Sequence, residues 1–274
     1  ALSVGEVIVK PTTMLYRNFL AMETEELLRS HPVDGVVLMG GCDKSTPALL
    51  MGAISMDLPT IFFPAGPMSN GKWRGTKAGA GTHTKKYWDE LRLGKITQHD
   101  WIDLEGAMTR SIGTCNTMGT ASTMTSIADA MGFCLPGSTS IPAADSGHVR
   151  LASACGERIV QMVWEDMRPS NWLTKEHFLN GVAVYLALGG STNAVIHLIA
   201  MANRSGISLT LSEMGEMAKK IPVIANLFPV GNNLMEDFFF AGGLCAMMNK
   251  MKQHLNLDCI NVSGQIWRES LKDA

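Results

Sequence analysis

A chain of 274 residues with 46% hydrophobic side chains can bury a substantial core, as one large domain or two small ones. Its formal net charge of -2 and the lack of a long Lys/Arg run argue against a nucleic-acid or membrane-surface partner and leave small anionic metabolites open. No apolar stretch approaches the roughly 20 residues of a transmembrane helix, and the first residues lack the basic-then-apolar layout of a signal peptide, so the cytoplasm is the expected compartment.

In chain order, Tyr16 to Ser30 reads as a helix with an acidic turn, stopped by His31-Pro32 and followed by a strand from Val33 to Met39. Ser45 to Ser55 reads as a helix and Pro59 to Phe63 as a second short apolar strand. Strand, helix and strand at this spacing predict a right-handed parallel crossover, which delivers both strand-end loops to one edge of the sheet. The first such loop carries Cys42, Asp43 and Lys44 in succession: a thiol, a carboxylate and an amine. A soft thiolate suits iron, whereas a carboxylate suits a hard ion such as magnesium. The competing reading is a buried cysteine beside a surface Asp/Lys pair.

The second loop, Gly66 to Gly75, combines glycines with Lys72 and Arg74; it suits a carboxylate or phosphate, or is an ordinary glycine-rich turn. Gly79-Ala80-Gly81 is only a fragment of a dinucleotide fingerprint, so a nicotinamide or flavin site is not expected. Helical patterns then predominate: Lys85 to Arg92, Thr97 to Arg110, Thr120 to Met131, Asp145 to Met167, Thr174 to Leu188, Ser191 to Asn203 and Met235 to Met248. The fold class is therefore α/β, with a short parallel sheet flanked by helices and a helix-rich second half. Ser191 and Thr192 read as helix caps, His197 as a hydrogen-bonded core histidine, and Glu236 and Asp237 as first-turn acids favoured by the helix dipole. Six dispersed cysteines argue for reduced thiols over a disulfide scaffold, with Cys134 and Cys155 in apolar helical surroundings. The 19 methionines are best explained as adaptable core filling.

Cys115 lies among small and hydroxyl residues from Gly113 to Met124, just before the helical pattern at Thr120, where exposed N–H groups can lower a thiol's pKa. Together the Cys42 and Cys115 segments resemble the iron–sulfur dehydratases that include dihydroxy-acid dehydratase, phosphogluconate dehydratase and the sugar-acid (aldonate) dehydratases. The resemblance continues through Lys10 to Asn18, Leu58 to Ile61, Gly66 to Met68, Leu135 to Gly137, Gly189 to Ala194 and Met235 to Phe238. The wording of Lys10 to Asn18 and Gly40-Gly41-Cys42 is closer to the sugar-acid branch.

That resemblance implies that Cys42 and Cys115 are two of three ligands to an iron–sulfur cluster (2Fe-2S or 4Fe-4S), that Asp43 binds Mg, and that Lys44 carries a carbamate that also binds Mg. It implies dehydration of a 2,3-dihydroxy acid, most simply a sugar acid, to a 2-keto-3-deoxy acid. Such a reaction needs a Lewis acid on the departing C3 hydroxyl, a cation on the carboxylate and C2 oxygen, and a base for the C2 proton. Residues 1 to 41 contain no cysteine, and no counterpart of the family's carboxy-terminal barrel, with its serine base and glutamate ligand, is recognisable. The expectation is thus an amino-terminal α/β domain over 1–274, truncated at both ends, inactive by itself and part of a homo-oligomer when full length. The alternatives are a noncatalytic metal-binding or interaction protein of the same fold, and a cysteine nucleophile pairing Cys42 or Cys115 with His31, His83 or His148, for which no spacing argues.

Overall fold

The computed structural model describes residues 13–272 and 274, so Lys10, Pro11 and Thr12 of the first family-like segment lie outside the described residues. The first described helix, α1 (Thr13–Ser30), leads into β1 (Val36–Gly40), α2 (Ser45–Met56) and β2 (Thr60–Pro64). β1 and β2 pair in parallel, with Val36 opposite Thr60 and Gly40 opposite Pro64. Parallel neighbours need a crossover, and α2 supplies it. All five residues of β2 are buried, which is why this strand is an unbroken apolar run and not an alternating one. Each strand is displaced C-terminally from its expected span: residues before Val36 form the turn out of α1, and the Val36 amide donates to Pro59 O (2.9 Å) at the start of the ladder.

The second loop is not an open glycine turn. It contains the antiparallel hairpin β3 (Gly71–Trp73) and β4 (Thr76–Ala78). Arg74 and Gly75 form its two-residue turn with φ of 47° and 81°, the positive values that tight hairpin turns of this kind require. The hairpin shares a small core of Trp73, Tyr87, Leu104 and Met108 with α3 (Thr82–Arg92) and α4 (Gln98–Met108). Thr97 and Asp100 close a capping box at the start of α4.

The helical half is arranged around α5 (Thr120–Ala130), in which every residue from Ala121 to Ala130 is buried. The helices that follow are α6 (Ser146–Trp164), α7 (Pro169–Trp172), α8 (Lys175–Ala187), α9 (Asn193–Arg204), α10 (Leu211–Ala218), α11 (Met235–Phe240), α12 (Gly243–Lys250) and α13 (Trp267–Ser270). The continuous pattern expected from Met235 to Met248 is interrupted between α11 and α12: Gly242, with φ of 100°, caps α12, and Gly243, its first residue, keeps a positive φ of 63°. α5 packs on α8, α2 and α9, and the Phe62 amide donates to Phe133 O (2.7 Å), joining the sheet to the segment after α5. Leu50, Ile61, Phe62, Ile127, Met131, Phe133 and Phe178 fill this main core, and Cys134 and Cys155 are buried within it as expected. Met118, Met235, Met247, Met248 and Met251 crowd a second core around Trp267, consistent with methionine as gap filler.

α1 lies directly against α2. A Cβ at Gly52 would come within 2.7 Å of Thr24 Cβ and 2.9 Å of the Ala21 carbonyl oxygen, so the two helix backbones touch where a side chain is missing. Gly52→Ala gains helix propensity of about 1 kcal/mol but must move α1 bodily, and we expect a net loss of about 1–2 kcal/mol in urea unfolding.

Burial raises the Asp129 carboxyl to about 7, against the amides of Thr139 and Gly137 that hydrogen-bond to it. Below the ordinary carboxylate range the group is protonated in both folded and unfolded chains. As pH rises toward 7 only the unfolded chain releases the proton, so this residue costs stability progressively and fully above 7. Unfolding free energies of wild type and Asp129→Asn should therefore shift in favour of the variant between pH ~4 and ~7 and run parallel above that range.

Candidate active site

The end of β1 turns at once into α2, and the turn is held by short local bonds. The Cys42 carbonyl accepts from the Thr46 amide (3.1 Å) and Thr46 Oγ1 (3.1 Å), and the Cys42 amide donates to Ser45 Oγ (3.2 Å). Cys42 is half-buried, with Sγ 3.3 Å from Asp43 Oδ1; Asp43 Oδ2 lies 3.0 Å from Lys44 Nζ. Asp43 and Lys44 are only 5% and 3% exposed, which corrects the reading of them as a surface pair. Burying a carboxylate and an ammonium costs several kcal/mol per ion before their attraction is counted, so the pair is a poor way to stabilise a fold. It is a good way to keep an amine and a carboxylate dry at a strand end.

Thr114 carries the second cysteine to the same place. Its amide donates to Gly66 O (2.9 Å), its carbonyl accepts from the Met68 amide (2.9 Å), and it forms a parallel bridge with Pro67. On its other side is Gly41, where an added Cβ would lie 2.5 Å from the Thr114 methyl and 3.0 Å from Ala65 Cβ. Gly41 and Thr114 immediately precede Cys42 and Cys115, so the two cysteine-bearing loops are in contact at the sheet edge. Cys115 is exposed. The following Asn116 is fully buried and ties down its surroundings: Oδ1 accepts from the Ala80 amide (3.0 Å) and Nδ2 donates to Ser69 O (3.0 Å). The Gly79 to Gly81 segment thus serves to pack against the Cys115 loop. Among the described residues, no group of three or more His, Cys, Asp or Glu side chains could hold a metal ion by themselves.

Residues 1–270 match the family model of the amino-terminal part of dihydroxy-acid/6-phosphogluconate dehydratases. This chain belongs to that family. It is similar to the 6-deoxy-6-sulfo-D-gluconate dehydratase of Pseudomonas putida, with 70% identity over 99% of this chain and 47% of that protein. It is also similar to the L-arabinonate dehydratase of Rhizobium leguminosarum bv. trifolii (47% identity, 99% and 47% covered) and to the D-xylonate dehydratase of Caulobacter vibrioides (39%, 96% and 44%). The chain spans about half the length of the curated relatives it matches.

The dehydratase fold brings two residues to this edge that sequence reasoning did not select. His197 on α9 is fully buried, and Arg17 on α1 donates from Nη1 to its Nδ1 (3.2 Å). A guanidinium only donates, so Nδ1 accepts and the ring proton resides on Nε2. Among the described residues, buried Nε2 has no hydrogen-bond partner. Burial, with the charges of Arg17 and Lys44, lowers the His197 pKa to about 4, against the opposing pull of Asp43. The imidazole is therefore a neutral ring lying within the field of the Asp43–Lys44 pair. Its core assignment stands, but only one nitrogen is satisfied; the spacing of a helix gives no sign of which neighbours it will face.

The remaining expectations divide. Ser191 and Thr192 make no side-chain cap bond to α9; Ser191 instead shares a 2.7 Å bond with Thr120 Oγ1 and donates from its amide to Thr123 Oγ1 (3.1 Å), stapling the starts of α9 and α5 together. Arg74 is ion-paired with Asp100 and stacked on the Trp73 ring, so it holds the hairpin to α4. Glu236 and Asp237 lie in the first turn of α11 as expected, Glu236 accepting from the Asn70 amide and Asp237 from the Leu234 amide. His31, His83 and His148 are engaged with Leu27 O, the Gly79 amide and Pro64 O. None of these bonds involves a cysteine.

Removing the carboxylate from a buried ion pair exposes the cost of its partner's desolvation. Asp43→Ala should lower the unfolding free energy by about 3 kcal/mol in urea titration, and Asp43→Ala combined with Lys44→Met should recover most of that loss.

Proposed function

We propose that this chain forms the amino-terminal part of a sugar-acid dehydratase, a hydro-lyase converting a 2,3-dihydroxy acid into a 2-keto-3-deoxy acid. The observation that carries the reading is the contact of Gly41 with Thr114, which brings a loop with a thiol, a buried carboxylate and a buried amine against a loop with a second thiol. The substrates named for the relatives, sulfogluconate, arabinonate and xylonate, are all sugar acids and favour that branch.

The donor chemistry fits an iron–sulfur cluster held by Cys42 and Cys115 and a magnesium ion held by Asp43 and Lys44, with Lys44 as its carbamate. Further ligands come from beyond the described residues. When bound, these groups supply Lewis acidity for the loss of the C3 hydroxyl and for the charge that develops at C2. The residues of this chain do the holding. The Asp43 carboxylate, backed by the first turn of α2, keeps a hard-ion position beside a half-buried thiol, and the burial of both Asp43 and Lys44 excludes water from that side. Lys44 is the residue of this chain assigned to catalysis. The reading includes a cytoplasmic homo-oligomer acting on a small anionic substrate. Separately, no described helix is long and apolar enough to cross a membrane.

The complete gene product, reconstituted anaerobically with iron and sulfide, should show visible cluster absorption and turn over 6-deoxy-6-sulfogluconate, arabinonate or xylonate to 2-keto-3-deoxy acids. Absence of both would sink the proposal. Cys42→Ser and Cys115→Ser should each abolish cluster absorption, and the 274 residues alone should show neither property.

A geometric variant tests the loop contact itself. Gly41→Ala should cut iron loading severalfold by pressing on the Thr114 methyl, and Gly41→Ala combined with Thr114→Ser, which removes that methyl, should restore it. Undiminished iron in the single variant would contradict the assignment of the two cysteines to one cluster.

A further inference from the structure

The Nε2–H of His197 is a donor with no acceptor among the described residues, and the side chain is fully buried. A buried, unsatisfied donor costs about 1–3 kcal/mol, and native proteins rarely leave one in place. Here its tautomer is not left to chance: the Arg17 guanidinium occupies Nδ1 and so holds the proton on Nε2. α9, which bears His197, packs against α2, whose first turn follows directly from Lys44. Both Lys44 and Asp43 lie close enough for their charges to act on the ring. An oxygen borne by the neighbouring Lys44 side chain would satisfy it.

We propose that His197 is a positioning residue whose Nε2–H receives one oxygen of a carbamate formed on Lys44, turning the other oxygen toward the hard-ion position at Asp43. The inference rests on the reading of Lys44 as a carbamate-bearing magnesium ligand and goes beyond it by assigning the group that holds the carbamate. In the covalent step, the Lys44 ammonium gives up one proton to solvent and the freed nitrogen lone pair attacks the carbon of dissolved carbon dioxide. The N–C bond forms as one C=O π pair moves onto oxygen, and a second proton leaves nitrogen for solvent. The new anion has two oxygens: one accepts from Nε2–H, satisfying the orphaned donor, and one remains for the cation. The half-buried Arg17 acts on the carbamate only through the ring.

The test uses the complete gene product in isotopically labelled bicarbonate, reading the carbamate carbonyl signal by carbon NMR, and magnesium affinity by calorimetry with the metal alone. Lys44→Arg identifies the signal belonging to Lys44. His197→Met, which keeps an apolar filling but removes the donor, should lower carbamate occupancy and weaken magnesium binding by about tenfold, the worth of one hydrogen bond to a charged group. His197→Gln places an amide N–H near the former Nε2 and should retain most of both, which a purely space-filling role would not produce. Arg17→Met frees Nδ1 to take the proton and should lower occupancy to an intermediate level without disturbing the core. If His197→Met remains folded and carries the wild-type signal and magnesium affinity, the positioning role is overturned while the Lys44 carbamate stands. If wild type and Lys44→Arg give the same spectrum, the carbamate itself is absent and both readings fall. A rise in KM for the sugar acid with an unchanged carbamate signal would assign Nε2 to a substrate oxygen and overturn the proposal.

Discussion

Two loops meet at the edge of the parallel sheet only because position 41 has no side chain. A methyl group there would stand 2.5 Å from the Thr114 methyl, well inside van der Waals contact, and would force apart the segments that carry Cys42 and Cys115. The backbone on both sides is committed: Gly40 O accepts from the Ala65 amide (2.8 Å), and Thr114 is bonded to Gly66 and Met68. Neither loop can give way without breaking ladder bonds, so the close approach is a rigid property of the sheet edge. The rest of the candidate site hangs from it.

Around that contact the molecule tolerates a concentration of polar groups that ordinary packing would avoid. Asp43 and Lys44 are buried beside each other, Asn116 is buried with three segments tied to it, and His197 keeps one ring nitrogen without a partner among the described residues. Each costs desolvation, and apolar residues of similar volume would often be as stable or more so. Their clustering at one strand end, while the main core is filled by Leu50, Phe62, Ile127 and Phe178, separates the part of the sequence concerned with folding from the part concerned with chemistry.

The helices serve that edge in different ways. α2 begins at it and fixes Asp43 and Lys44 through its first turn; α5, buried along nearly its whole length, begins shortly after Cys115; α9 is stapled to the start of α5 through Ser191 and Thr123. α1 presses on α2 at Gly52 and delivers Arg17 to His197. Helices distant in sequence therefore converge on one short stretch of sheet.

The sequence by itself determined the parallel crossover, the sheet-end position of Cys42, Asp43 and Lys44, the helix following Cys115 and the family, because apolar period, chain punctuation and contiguous motifs are local properties. It also made Cys134, Cys155 and most methionines core residues, since apolar side chains at helical spacing have few other uses. It did not disclose the hairpin at Arg74-Gly75, the break at Gly242-Gly243, the burial of the Asp43–Lys44 pair or the meeting of Arg17 with His197. Those depend on which face each element turns to its neighbours. Residues 17 and 197 are separated by most of the chain, and no periodicity encodes their contact. Only the packing of α1 and α9 against α2 brings guanidinium to imidazole and thereby decides which ring nitrogen keeps the proton.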